Sequence, residues 1–162
     1  MNKIVIKGVN YFGSYNHARE ACRAVIIDGD NILLSHEAKN DIWMLPGGGL
    51  EDNETDEECV IREVGEETGN LFKPSKCVLE IDEYYGDTKY KSKYFIGKIV
   101  GKTETHFTEA EIINGLESKW LSIKQAIEIF SKYNEIIDFE EKRGLYQREY
   151  SALKEIFKKI YD

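Results

Sequence analysis

Residues 56–68, Asp-Glu-Glu-Cys-Val-Ile-Arg-Glu-Val-Gly-Glu-Glu-Thr, constrain the fold more than any other part of the chain. Thr55 and Glu58 form a capping-box pair at the start of a helix, and Gly69 supplies a residue that can turn left-handed at its end. At about 100° per residue, Val60, Ile61 and Val64 share an apolar arc, and Glu63, Glu66 and Glu67 fall within roughly one 100° arc beside it. The helix must therefore lay one side on a hydrophobic core and carry converging carboxylates along the border of that side. Two carboxylates about 5 Å apart repel by ~3 kcal/mol at an effective dielectric of about 20, and a bound cation removes that repulsion. Carboxylate oxygens facing one point suit a hard ion, Mg²⁺ in particular, which keeps several waters and binds through a few carboxylates plus substrate phosphates. His17, His36 and His106 lack the paired spacing of a zinc site. Taken alone, the acidic run also fits a solvated helix face.

The chain has 162 residues, 41% hydrophobic and 32% charged, which fits one globular domain over residues 1–162. Its formal net charge of -8 argues against a protein that follows nucleic-acid polymers through a general positive field, but leaves room for small anions bridged by metal ions. Lys3 and Lys7 break the short apolar run at the N-terminus, so no signal peptide is expected there. No segment approaches the roughly 20 apolar residues of a membrane span. Cys22, Cys59 and Cys77 are odd in number and far apart, which suggests neither a disulfide framework nor a thiolate zinc site. The expectation is a cytoplasmic protein with reduced thiols.

Strands are predicted at residues 4–12, 21–27, 31–36, 78–85, 91–100 and 119–121, with a turn at Gly86-Asp87. Pro46-Gly47-Gly48-Gly49 reads as a glycine-rich turn leading towards the acidic helix. Ser122 with Gln125 caps a helix to about residue 132. Leu145, Tyr146, Tyr150, Leu153, Ile156, Phe157 and Ile160 recur at helical spacing, which predicts a terminal amphipathic helix over about 144–160 docked on the sheet. Strands and helices alternate irregularly, the pattern of an α/β fold with a mixed sheet between helices.

Gly48, Glu54, Arg62, Glu63, Glu66, Glu67 and Gly69 stand in the order glycine, five residues, glutamate, seven residues, Arg-Glu, then Glu-Glu and a closing glycine. This resembles the signature of the Nudix (MutT-like) hydrolases over residues 48–70, with a looser likeness from about 21 to 132. Val64 occupies the expected aliphatic position, whereas the final aliphatic position is instead Asn70, followed by Leu71. The lead-in Trp43-Met44-Leu45-Pro46-Gly47-Gly48-Gly49 and the strand exit Trp120-Leu121-Ser122 also look like family members.

The resemblance implies Mg²⁺-dependent hydrolysis of the pyrophosphate link of a nucleoside diphosphate joined to another group X, with Mn²⁺ as a possible substitute. By position, Glu63, Glu66 and Glu67 are the implied metal ligands, the Gly47 carbonyl a further candidate, and Arg62 the residue that orients a glutamate. Glu54 reads either as an outer-shell residue or as a charge on the helix dipole. The general base is implied either among the signature glutamates or on a later loop, where Glu109 and Glu111 are the candidates. Arg23 either reaches a substrate phosphate or is a surface arginine, and Trp43 either frames the pocket or packs beneath the turn.

The partner implied is a small-molecule nucleotide, with neither a nucleic-acid polymer nor a membrane. Tyr84 and Tyr85, about fifteen residues past Gly69, resemble the dinucleoside polyphosphate group, and a nucleoside triphosphate substrate fits equally. Motifs of coenzyme A or NADH members are not visible. The competing class is a catalytically silent Nudix-fold sensor that binds a nucleotide, which the intact Arg62, Glu63, Glu66 and Glu67 argue against.

Overall fold

The strand His17–Asp28 (β2) is covered on both sides: Cys22, Ala24 and Ile26 are buried on one face and Val25 on the other. A strand of this kind belongs inside a sheet with a layer over each face. The computed structural model, which describes residues 1–158, places it there. Asn2–Lys7 (β1), β2, Asn31–Glu37 (β3), Ile42–Met44 (β4) and Gly47–Gly49 (β5) precede the helix Asp56–Thr68 (α1). Asn70–Tyr85 (β6) and Thr88–Lys102 (β7) follow, then the short helix Glu109–Asn114 (α2), Leu116–Ser122 (β8), Ile123–Ser131 (α3) and Glu140–Ile156 (α4). The strands form an eight-stranded sheet in the order β1-β6-β7-β2-β3-β4, with β5 paired to β2 and β8 to β3. β1–β6 and β2–β7 are parallel and the other pairings antiparallel, so the sheet is mixed as expected.

Helix α1 covers one face, where Cys59, Val60 and Val64 pack with Cys22, Ala24, Ile26, Leu33, Phe72 and Phe95. Helices α3 and α4 cover the other, where Phe130, Tyr146, Ala152 and Leu153 meet Val25, Ile32, Leu34, Leu79 and Tyr94. Among the described residues no helix is long and apolar enough to cross a membrane.

Helix α1 has the predicted bounds, and Gly69 caps it with φ 70°. Its N-cap is simpler than expected. Thr55 accepts a bond from the Glu58 amide at 3.1 Å, but the return bond of a capping box is not formed; Thr108–Glu111 and Ser122–Gln125 make complete boxes instead. The strand predicted over 4–12 stops at Lys7, where Gly8 donates to the Tyr84 carbonyl and the chain turns. Strands β6 and β7 begin or end well outside 78–85 and 91–100, because β6 starts directly at Asn70 and absorbs Pro74 at a register shift. The glycine turn contains a short strand, β5, and α2 has no counterpart in the sequence reading. Helix α4 starts at Glu140 instead of about 144; Ile160 and the predicted end at 160 lie outside the described residues.

Helix α4 holds the lead-in to the acidic helix through side chains. The Tyr146 hydroxyl accepts from the Trp43 amide at 3.0 Å and donates to the Asp41 carbonyl at 3.2 Å. Tyr146→Phe is expected to lower unfolding stability by ~1–3 kcal/mol, the cost of leaving a part-buried amide without its acceptor, measured by urea titration. A loss below about 0.5 kcal/mol would show that water replaces the hydroxyl.

Candidate active site

The segment from β5 into α1 brings backbone and carboxylates unusually close. A side chain at Gly48 would place its Cβ 2.5 Å from Glu63 Cδ, so only glycine lets that carboxylate rest on the strand. Arg62 joins the surrounding charges. Its Nε lies 3.1 Å from Glu54 Oε1, its Nη1 2.8 Å from Glu63 Oε1 and 3.2 Å from Glu66 Oε2, and its Nη2 donates to the Gly49 carbonyl at 3.0 Å. Burial works against the guanidinium charge, but the Glu54 and Glu63 carboxylates hold the proton on Arg62 more firmly than usual. Arg62 therefore orients three glutamates, and Glu54 is a partner of Arg62.

Glu67 points beneath the helix. Its Oε2 accepts from the Gly47 amide at 3.2 Å and from Ser35 Oγ at 3.3 Å, and only 7% of the residue is exposed. Burial, then the charge of Glu63, pushes its carboxyl up to about 8, while the Gly47 bond and Arg23 act in the opposite sense. Burial likewise raises Glu63, with Arg62 opposing. Gly47 thus reaches the site through its amide. Among the described residues no three acidic, histidine or cysteine side chains already close on one point, since Glu63 and Glu66 turn to Arg62 and Glu67 to Gly47. The donors available are carboxylate oxygens, two of them with their pKa raised by burial and mutual repulsion, a set that fits a hard divalent cation.

Of the two loop candidates, Glu111 faces this cluster: its charge raises both Glu63 and Glu67, although its Oε1 also accepts from the Thr108 amide at 2.9 Å. Glu109 is the exposed first residue of α2, with no side-chain bond. Arg23 projects to the face opposite α1, where its Nε lies 3.4 Å from Ser92 Oγ. It lines a cleft of about 480 Å³ between α4 and the strands β2, β6 and β7, walled also by Gly49, Glu83, Tyr85, Tyr90 and Arg148.

Tyr85 joins this cleft, and its hydroxyl lies 3.3 Å from Glu83 Oε2. Tyr84 does not. The strand alternation sends it to the other face, against Tyr11 at 5.1 Å, Tyr15 at 5.8 Å and the Lys89 ammonium. Trp43 is also placed elsewhere: it stacks on His36 at 4.1 Å and lines a separate hollow with α3 and α4, on the side of β3 away from Ser35 and Glu67.

Several site residues escaped the sequence reading. Glu149 is fully buried and accepts from the Leu45 amide at 2.7 Å, Tyr94 Oη at 2.7 Å and Arg148 Nε at 3.1 Å. Burial alone would raise its carboxyl, but Arg148 and Arg23 outweigh that and hold it below the usual range. Ser35 and Ser92, both buried, were missed because a serine in a strand carries no signal of its own. The charged pair Arg148-Glu149 was missed because helical periodicity was counted on apolar residues.

The position of Glu67 makes stability depend on pH. Its folded value of about 8 stands above the ordinary 4.5, so the folded state retains a proton that the unfolded chain releases. With divalent ions chelated, stability should be full below pH 4.5 and fall, by up to ~1.4 kcal/mol per pH unit, as pH rises to about 8. Glu67→Gln should flatten that decline in a thermal melt series, and equal slopes in the two proteins would refute the assignment.

A sequence profile of the NUDIX domain matches residues 17–141. Diphosphoinositol polyphosphate phosphohydrolase 3-alpha of Mus musculus is 30% identical over 98 residues, covering 60% of this chain and 58% of that protein. A MutT-like protein of Streptomyces ambofaciens is 34% identical over 83 residues, 51% of this chain and 49% of its own length. The chain thus spans about half the length of these relatives. A NUDIX hydrolase from Nitrosomonas europaea shares the fold with a TM-score of 0.57 at 24% identity, over 83% of this chain and 88% of that one. The MutT protein from Methanosarcina mazei Go1 does so with a TM-score of 0.56 at 21% identity, over 86% and 97%. The profile runs through the glutamate helix, the strands that wall the cleft and the start of α4, and on that match the chain belongs to the NUDIX family.

Proposed function

We propose that this chain is a divalent-metal-dependent hydrolase that cleaves the pyrophosphate link of a nucleoside diphosphate joined to another group X, with a nucleoside triphosphate or dinucleoside polyphosphate as substrate. The observation that carries the reading is Glu67, a buried carboxyl with its pKa raised, beside Glu63 and within electrostatic reach of Arg23, which lines the cleft on the other face. A structural acidic face would leave its carboxylates in water.

Glu63, Glu66 and Glu67, with the Gly47 carbonyl, are the residues that would hold Mg²⁺, or Mn²⁺ in its place. When bound, the cation screens phosphate charge and lowers the pKa of an attacking water. The chain's own groups do the rest. Arg62 fixes the rotamers of Glu63 and Glu66, so little ordering is left for the moment of binding. Ser35 and the Gly47 amide orient Glu67. Arg23 lines the cleft and its charge is felt by Glu67, so its guanidinium can grip a phosphate oxygen as the nucleoside side of the substrate lies along the cleft. Glu111 is the better placed of the two loop glutamates to accept a proton from water, since it faces the carboxylate cluster.

Chromatographic detection of the nucleotide products from a panel of nucleoside triphosphates and dinucleoside polyphosphates tests the reading. Turnover is expected only with Mg²⁺ or Mn²⁺ and to rise towards alkaline pH, because the attacking water must lose a proton. Arg62→Ala, which frees the carboxylates it orients, should lower kcat/KM by about 10–100-fold. Full turnover after exhaustive chelation would refute the metal role. Nucleotide binding without turnover of any panel member would favour a sensor.

A further inference from the structure

The deep wall of the cleft holds groups that hydrolysis does not require. Arg148 is only 9% exposed and Glu83 only 4%. Arg148 Nη1 lies 3.5 Å from Glu83 Oε1, and Arg148 Nη2 has no hydrogen-bond partner among the described residues. Among the described residues the other oxygen of Glu83 receives the Tyr85 hydroxyl, at 3.3 Å. A buried cationic donor left short of acceptors is costly to folding, so an acceptor brought to it from the cleft, by water or by a ligand, is favoured. Arg148 also lies past residue 141, beyond the stretch that the family profile matches, and so outside the part of the chain that carries the shared chemistry.

The surroundings limit what that partner is. Tyr85 and Tyr90 line the same cleft with ring centres 6.3 Å apart and planes tilted by 58°, so each offers an apolar ring face or edge to a planar ring. Glu140 and Glu141, in the first turn of α4, stand at the same cleft and oppose a highly phosphorylated group. A neutral heterocycle that places a hydrogen-bond acceptor on Arg148 and a donor on Glu83 satisfies both. A ring carbonyl next to a ring N–H, the lactam edge, does so best. Its oxygen is a stronger acceptor for a guanidinium than a bare ring nitrogen, and its N–H is a more acidic donor to a carboxylate than an amino group.

We propose that this cleft binds the nucleobase of the substrate and that Arg148 and Glu83 select a lactam edge, as guanine and uracil carry and adenine and cytosine do not. The inference rests on the nucleotide reading of the site given above.

The test is calorimetric titration of the full chain, with divalent ions chelated, by GMP, UMP, AMP and CMP. GMP or UMP should bind at least tenfold more tightly than AMP and CMP, and the order of GMP and UMP identifies a two-ring or a one-ring base. Glu83→Gln keeps the shape of the side chain but replaces the carboxylate by a group that both donates and accepts, so the advantage should shrink below threefold. Equal affinities for all four, an adenine or cytosine preference, or tighter binding of inositol hexakisphosphate than of any nucleotide would overturn the proposal. If the variant does not fold, the wild-type panel decides alone. Selective binding with no turnover under Mg²⁺ would remove the hydrolase reading and keep this one. Turnover with no base selectivity in binding would do the reverse.

Discussion

The contact between the Glu63 carboxylate and the backbone of Gly48 is the constraint on which the other features turn. No side chain fits at 48 without displacing that carboxylate. From the neighbouring position Arg62 grips the carbonyl of Gly49, so helix α1 is joined to β5 by polar contacts in addition to its apolar face. Strand β5 is itself paired to Ala21–Arg23 of β2, with Gly47 opposite Arg23. The acidic side of the helix and the strand that carries Arg23 are therefore parts of one rigid connection. The glycines of the lead-in serve close approach as much as turning.

Two buried glutamates on either side of this connection show how a partner, and not burial, decides charge. Glu149 is the more deeply buried, yet Arg148, Arg23, the Leu45 amide and the Tyr94 hydroxyl keep it ionised. Glu67 has the Gly47 amide and Ser35 but lies beside another carboxylate, and its carboxyl is pushed up to about 8. The first is a structural anion already satisfied by the protein. Among the described residues the second has no cation near enough to offset its burial. Arg62 occupies the middle position, since it satisfies Glu63 and Glu66 in part and still leaves their remaining oxygens free to turn outward.

Much of this was legible from the sequence, for identifiable reasons. Helix α1 combines apolar periodicity, an N-cap and a glycine stop, three independent signals that agree, and its bounds matched. The mixed sheet between helices followed from the order of elements. What escaped was set by long-range partners. The first half of β6 carries Lys73, Pro74 and Lys76, and is a strand because β7 pairs with it. Tyr84 and Tyr85 are adjacent and similar, and only the sheet reveals which one turns to the cleft. Trp43 was placed near the site by its position in the chain, but the alternation of a short strand carries it to the opposite face. Arg148 and Glu149 sit on a helix whose apolar pattern was read correctly, while their burial depends on Tyr94, Glu83 and Leu45, each far away in sequence.

That separation has a kinetic meaning. Arg23 and Ser92 are 69 positions apart, and Glu149 and Leu45 are 104 apart, so the cleft exists only after large loops have closed. Helix α1 with its caps and acidic face is local, and can form early and transiently. The parallel pairing of β2 with β7 and the docking of α4 come at high loop entropy. A partly folded chain therefore displays its crowded carboxylates before the cleft exists, and the cleft is complete only once α4 has docked.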